Sequence, residues 1–160
     1  EVGLGQLTHN GADTLLLWDP DYYQQICQPL LGDSCQYQYH QLAGWQRQAL
    51  QNQVLTDPGF EALARALRAN AAQVDAIVRD ETEQRPGAFL SHQDLWRLAL
   101  VNYNAGPGCV RAALRDSIRA GYSPGWDGLS ISLGALCPAA VGYVERVTAT
   151  PLPYQPAGPQ

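Results

Sequence analysis

The apolar residues of this chain recur at helical spacing between proline starts and glycine stops, and that punctuation leaves little room for any architecture but a helical one. Asp19-Pro20 and Asp57-Pro58 each set an N-cap residue before the one best suited to a first helical turn. Proline has its φ already fixed for the helix, and its missing N–H would be an orphan at that position anyway. Ala12 to Trp18 reads as a short helix. The helix opened by Asp19-Pro20 runs through Tyr22, Tyr23 and Ile26 and is disturbed at Pro29, and Gly32 to Cys35 is a turn. Leu42, Trp45, Ala49 and Val54 mark a further helix. Phe60, Leu63, Leu67, Val74 and Ile77 line one face of the next, through about Arg79, with Glu61, Arg65, Arg68 and Asp75 opposite. Asp80 to Gly87 reads as a polar loop whose charges are solvated.

Ser91 with Asp94 three residues on makes a capping pair and opens a helix with Leu95, Leu98, Ala99 and Asn102 on one side. That helix ends at Tyr103-Asn104 and breaks into Ala105-Gly106-Pro107-Gly108. Pro107 opens the next helix, which carries Val110, Ala113, Leu114 and Ile118 and stops at Gly121. Tyr122 to Leu136, rich in Gly and Ser, reads as a long loop pinned by Cys137. Pro138 starts a last helix through Val147, and residues 151–160 form a proline-rich tail or linker. The only strand-like alternation, Leu129 to Leu133, is one isolated segment. The expected fold is a mainly α domain over residues 1–150.

Charge and cysteine usage narrow the function classes. All ten basic residues are arginines, spread from Arg47 to Arg146 in a chain of net charge −5; with no basic run, nucleic acid is disfavoured as a partner. The longest apolar runs, such as Leu15 to Trp18, are far too short for a transmembrane segment. With no methionine, the chain does not begin at its own initiator. Cys27, Cys35, Cys109 and Cys137 are even in number, lack Cys-x-x-Cys spacing, and are accompanied only by the isolated His9, His40 and His92, so no metal site is expected. Two disulfides are expected instead, Cys27–Cys35 and Cys109–Cys137, and with them an extracytoplasmic location; four buried thiols are the alternative.

The catalytic inventory is thin. There is no Gly-x-Ser-x-Gly, no His-Glu-x-x-His and no phosphate-cradling glycine loop, and no cofactor is expected. Among the glutamates, Glu61 and Glu145 fall on polar helix faces and Glu81 and Glu83 in the charged loop, without the apolar neighbours that make a carboxyl an acid near neutral pH; Glu1 is a chain end. The chemistry concentrates where the helix ending in Tyr103-Asn104 presents a phenol and an amide from a rigid Gly-Pro-Gly turn. Gly3-Leu4-Gly5-Gln6 stands at the other end of the chain.

These two segments together resemble the lytic transglycosylase family, from about Gly3 to Val147. The resemblance implies a lysozyme-like fold and cleavage of peptidoglycan glycan strands. In the family one glutamic acid protonates the glycosidic oxygen, and the muramic acid C6 hydroxyl closes on C1 to leave a 1,6-anhydro sugar. One carboxyl therefore suffices, in contrast to the two-carboxylate scheme of most glycosidases. The family pattern is Glu-Ser, then Gly-Leu-Met-Gln, then Ala-Tyr-Asn-Ala-Gly. Here Gly5 replaces the methionine, loosening one wall of the groove, while Gln6 matches and would face the glycan or the acid. Val101 to Gly108 supplies the third block, with Tyr103 near the catalytic carboxyl and Asn104 beside the substrate. Gly142 to Val147 echoes a further segment that places Tyr143 in the cleft.

Trp126, read as part of the Ser123–Gly128 loop, is the candidate for an exposed sugar contact, whereas Trp18, Trp45 and Trp96 read as core. The Glu-Ser block has no match, which puts the catalytic glutamate upstream of residue 1. It would also leave an open face at Leu4, Leu7 and Leu98 for a covering segment or self-association. Residues 27–91 match the family poorly. Two other readings stand beside the enzyme: a non-catalytic lysozyme-like glycan-binding domain, and a self-associating secreted structural subunit.

Overall fold

The computed structural model describes residues 7–56 and 60–149; Gln6, the Asp57-Pro58 cap and the tail at 151–160 lie outside the described residues. The described chain is helical throughout, without a strand. Its elements are α1 (His9–Trp18), α2 (Pro20–Leu31), two 3-10 turns (Gly32–Gln36 and Tyr39–Gln41), α3 (Gly44–Thr56), α4 (Phe60–Thr82), α5 (Pro86–Phe89), α6 (His92–Ala105), α7 (Pro107–Ala120), α8 (Trp126–Leu136) and α9 (Pro138–Ala149). Local chemistry sets the boundaries. Thr8 caps α1 at Gly11 N and Asp19 caps α2 at Tyr22 N. The Ser91 hydroxyl accepts from Asp94 N and donates to the Asp94 carboxylate at the start of α6. Gly121 closes α7 in the left-handed conformation, φ 69°.

Helix α4 is the spine of the molecule. At 23 residues it is about 34 Å long, and it joins two apolar clusters. Its first half, with α1, α2, α3 and both 3-10 turns, encloses Leu15, Leu16, Tyr22, Tyr23, Tyr39 and Leu50. Its second half, with α6 to α9, encloses Val74, Ile77, Leu98, Val110, Leu114, Leu129 and Leu133. The buried stripe of α4 is Ala62, Ala66, Asn70, Val74 and Val78, joined by Ala69 and Ile77. That is rotated from the stripe expected from large residues alone: Phe60 is 77% exposed, and Leu63 and Leu67 are only half-buried. The alanines win the inward face because α1 packs against this part of α4, and small side chains there let the two backbones approach closely.

Five other expectations need correcting. Residues 126–136 are a helix rather than a loop. Leu129, Ser132 and Leu133 face inward at i, i+3 and i+4, and Gly128 is required because a Cβ there would meet Ser123 O at 2.5 Å. Helix α2 continues through Pro29 to Leu31. Helix α4 runs on to Thr82, and Glu81 is not solvated: its side chain is 9% exposed and pairs with two arginines of α7, Arg111 Nη1 at 2.8 Å and Arg115 Nε at 2.6 Å. Trp45 and Trp96 are exposed, 68% and 40%, rather than core, while Trp18 is half-buried against the N-terminal cluster. The open face expected at Leu98 is absent too: Leu98 is fully buried by the C-terminal cluster and Leu7 is half-buried, while Leu4 lies outside the described residues.

Both expected disulfides are formed. Cys27–Cys35 staples α2 to the first 3-10 turn, and Cys109–Cys137 ties the start of α7 to the residue that ends α8. Among the described residues no helix is long and apolar enough to cross a membrane.

Candidate functional site

The end of α6 lies at the seam between the two clusters. Leu98 and Val101 belong to the C-terminal cluster, whereas the Tyr103 ring packs against the N-terminal one. The helix can stop there because Gly106 takes φ 84°, a conformation that strains any residue with a Cβ, and its N–H still reaches Asn102 O at 2.8 Å. Pro107 then starts α7 without an orphaned donor.

A cavity of about 480 Å³ opens at this seam. Asn10, Asp13, Thr14 and Leu17 of α1 form one wall, Asn70 and Gln73 of α4 contribute from the spine, and Asn102 to Pro107 form the other wall. The Tyr103 phenol is pushed up from its ordinary pKa by burial first and by the neighbouring Tyr143 phenol second. Burial raises Tyr143 as well, and the Arg146 charge pulls it back. Both phenols are therefore neutral hydroxyls at physiological pH, able to donate and accept hydrogen bonds. The structure thus brings Tyr103 and Tyr143 into each other's field and sets the exposed Asn104 at the cavity mouth.

Trp126 is not part of this group. As the first residue of α8 it is half-buried against the C-terminal cluster, with the Arg97 guanidinium 5.5 Å over its ring, toward the opposite end of α6. Its expected role as a free sugar platform does not fit that placement, because one ring face is already covered by a cation.

Two hydrogen-bonded polar groups on the cavity wall were not recognised as such in the sequence. Asn102, 3% exposed, donates from Nδ2 to Asn70 Oδ1 and to Gln73 Oε1, each at 2.8 Å. Its own Oδ1 is buried with no partner among the described residues. Asn70, itself 2% exposed, returns its Nδ2 to Ala66 O. The signal was available: Asn102 falls on the apolar face of α6, and a polar residue placed inward needs partners. The second group is Asp13, whose Oδ1 accepts from the Tyr39 hydroxyl and from Gln51 Nε2. Burial leads in pushing the Tyr39 phenol well above its usual value, and the Asp13 hydrogen bond adds to it. Spacing gave no hint of this triad, whose members are 12 to 38 residues apart.

Asp13 is the only carboxyl on the cavity wall among the described residues. Among the same residues no cluster of His, Cys, Asp and Glu is arranged to hold a metal ion. Comparison of the chain with protein-family models, with curated proteins and with solved structures found no match in any of the three.

Proposed function

We propose that this chain is a lysozyme-like domain of the lytic transglycosylase type, holding a peptidoglycan glycan strand in the cleft between α1, α4 and the end of α6. The observation that carries the reading is that Tyr103 and Asn104 line one hollow at the seam, with Tyr143 near enough to raise the Tyr103 phenol. The seam opens into a cavity within the range of about 300–1,000 Å³ usual for small-ligand sites. Neutral amides and phenols suit a ligand rich in hydroxyl and acetamido groups, because each can donate and accept at once. The resemblance assigns Gln6 to the same site, facing the glycan or the acid.

Such an enzyme needs one glutamic acid as its proton donor. With it in place, the glycosidic oxygen takes the proton, the muramic acid C6 hydroxyl closes on C1, and Tyr103 holds the sugar in register. The two disulfides are compatible with an oxidising, extracytoplasmic compartment, where the substrate is found.

A second reading, a glycan-binding domain without turnover, is favoured by one specific observation. The Asp13 carboxylate has Oδ1 engaged by two donors from α3 and the second 3-10 turn, which ties it to the scaffold. Incubation with purified sacculi tests both readings. Co-sedimentation with release of 1,6-anhydro-muropeptides supports the enzyme. Co-sedimentation without release supports the binding domain. Failure to sediment with sacculi overturns both.

A further inference from the structure

A second cavity, of about 350 Å³, lies on the other side of α1, between α2 and the segment Gln36–His40. Leu17 lines both cavities, and the Asp13–Tyr39 hydrogen bond joins a wall residue of one to a wall residue of the other. Asn10, Asp13, Thr14 and Leu17 follow one stripe of α1, and from Asn10 to Leu17 that stripe is about 10 Å long. The two hollows therefore adjoin at Leu17, with the Asp13–Tyr39 pair between them.

The lining of the second hollow is chemically narrow. Among the described residues it carries no carboxylate and no guanidinium; its polar side chains there are phenols, glutamine amides and the imidazole of His40. Tyr37 is 54% exposed. Its backbone is held by the Tyr23 hydroxyl, which donates to Tyr37 O at 2.7 Å. Gln24 is held by its bond from Nε2 to Cys35 O at 2.8 Å, so its Oε1 remains as an oriented acceptor. The Cys27–Cys35 disulfide staples this segment to α2. An exposed aromatic on a backbone held at Tyr37 O and stapled by the disulfide, with amides around it, is the chemistry of stacking under a pyranose ring while bonding its hydroxyl and acetamido groups. Little ordering is left to be done on binding.

We infer that the Tyr37–His40 segment is an additional saccharide subsite, which takes a neutral N-acetylhexosamine ring of the same strand that occupies the Tyr103 cleft. The inference rests on the glycan reading above. It gives a use to a stretch within residues 27–91, the part of the chain that the family resemblance leaves unexplained.

The test is titration of the chain with N-acetylglucosamine oligomers of two and of six residues, followed by calorimetry, with Tyr37→Ala, Tyr37→Phe and Asn104→Ala as variants. Tyr37→Ala is expected to weaken the hexamer about tenfold and to leave the dimer, which fits the cleft alone, unchanged. Tyr37→Phe keeps the ring and is expected to bind the hexamer like the parent; Asn104→Ala weakens both oligomers. Because the Tyr37 side chain is largely exposed, a melting temperature equal to the parent's confirms that the alanine variant is folded. Full hexamer affinity in folded Tyr37→Ala, with Asn104→Ala still impaired, overturns the subsite and leaves the cleft reading standing. Equal loss of dimer and hexamer in Tyr37→Ala overturns the continuous track. No binding of either oligomer by the parent overturns the cleft reading and this inference together.

Discussion

Asn102→Ala tests the reasoning about the floor of the cleft, and its cost can be worked from the contacts. The substitution deletes a bond of 2.8 Å to Asn70 Oδ1 and another to Gln73 Oε1. The Asn70 bond, with both partners buried, contributes about 1 kcal/mol, and leaving Asn70 Oδ1 without a donor costs about 1–3 kcal/mol more. Gln73 is half-buried and can turn to water, so its loss counts for little. Against this, the unpartnered Asn102 Oδ1 disappears, which returns about 1 kcal/mol. The balance is a destabilisation of roughly 2 kcal/mol, or a fall in Tm of about 4–8 °C for a chain of this size.

Asn102→Asp is nearer in shape but replaces the donor by oxygens facing two acceptors, and it is expected to be worse than Asn102→Ala. Urea unfolding followed by far-UV circular dichroism measures all the variants. Asn70→Leu combined with Asn102→Leu removes donor and acceptor together, and the pair is expected to be more stable than the sum of the singles by about 1–2 kcal/mol. An Asn102→Ala cost below about 0.5 kcal/mol, the size of an ordinary surface change, or an Asn102→Asp variant as stable as the parent, would refute the assignment of the amide cluster as a strut between α4 and α6.

Three further outcomes follow from other contacts. The Arg115 and Arg111 guanidinium groups hold the Glu81 carboxyl below its usual range, with partial burial opposing them. A folded-state pKa below the unfolded one gives stability that is present above about pH 4.3 and is lost as pH falls through that value toward the folded pKa. Glu81→Gln should therefore lower Tm at pH 7 and converge with the parent as pH falls through the depressed folded-state pKa, as measured by calorimetric scans across the acid range. Gly128→Ala drives a Cβ into Ser123 O and should cost about 1–3 kcal/mol, whereas Gly134→Ala, with open space around it on the same helix, should stabilise by about 0.5–1 kcal/mol; denaturant melts separate the two. Removing Cys109–Cys137 by double serine substitution should cost about 3.5 kcal/mol and removing Cys27–Cys35 about 2.5 kcal/mol on the chain-entropy model; equal losses, or the reverse order, would argue against loop length as the cause.

The helix boundaries were legible where the signal is local. Asp19-Pro20, Ser91 with Asp94, and Gly106-Pro107 each carry their instruction within a few residues, and each forms the cap it spells. Both cysteine pairings were legible from number and spacing. Helix α8 was not: its Gly and Ser residues weigh against a helix in isolation, and packing of Leu129 and Leu133 into the core overrides them. Nor was the inward face of α4, because alanine is a weak hydrophobic signal yet is what a close helix crossing selects. The partners of Glu81 lie 30 and 34 residues away, so nothing near it marked it as paired. The Tyr103-Asn104 turn was legible as a place where side chains leave a helix end. Its neighbours across the cavity, Asp13 and Gln73, were not, since only tertiary folding sets α1 and α4 beside α6.

The most direct test of the cleft is an NMR titration of the isotope-labelled chain with soluble glycan fragments released from sacculi. The account predicts saturable shifts that move together at Asn10, Gln73, Asn104 and Gly106, with the signals around Trp126 unchanged. Shifts centred on Trp126, or no saturable shift along α1 and the end of α6, would contradict it.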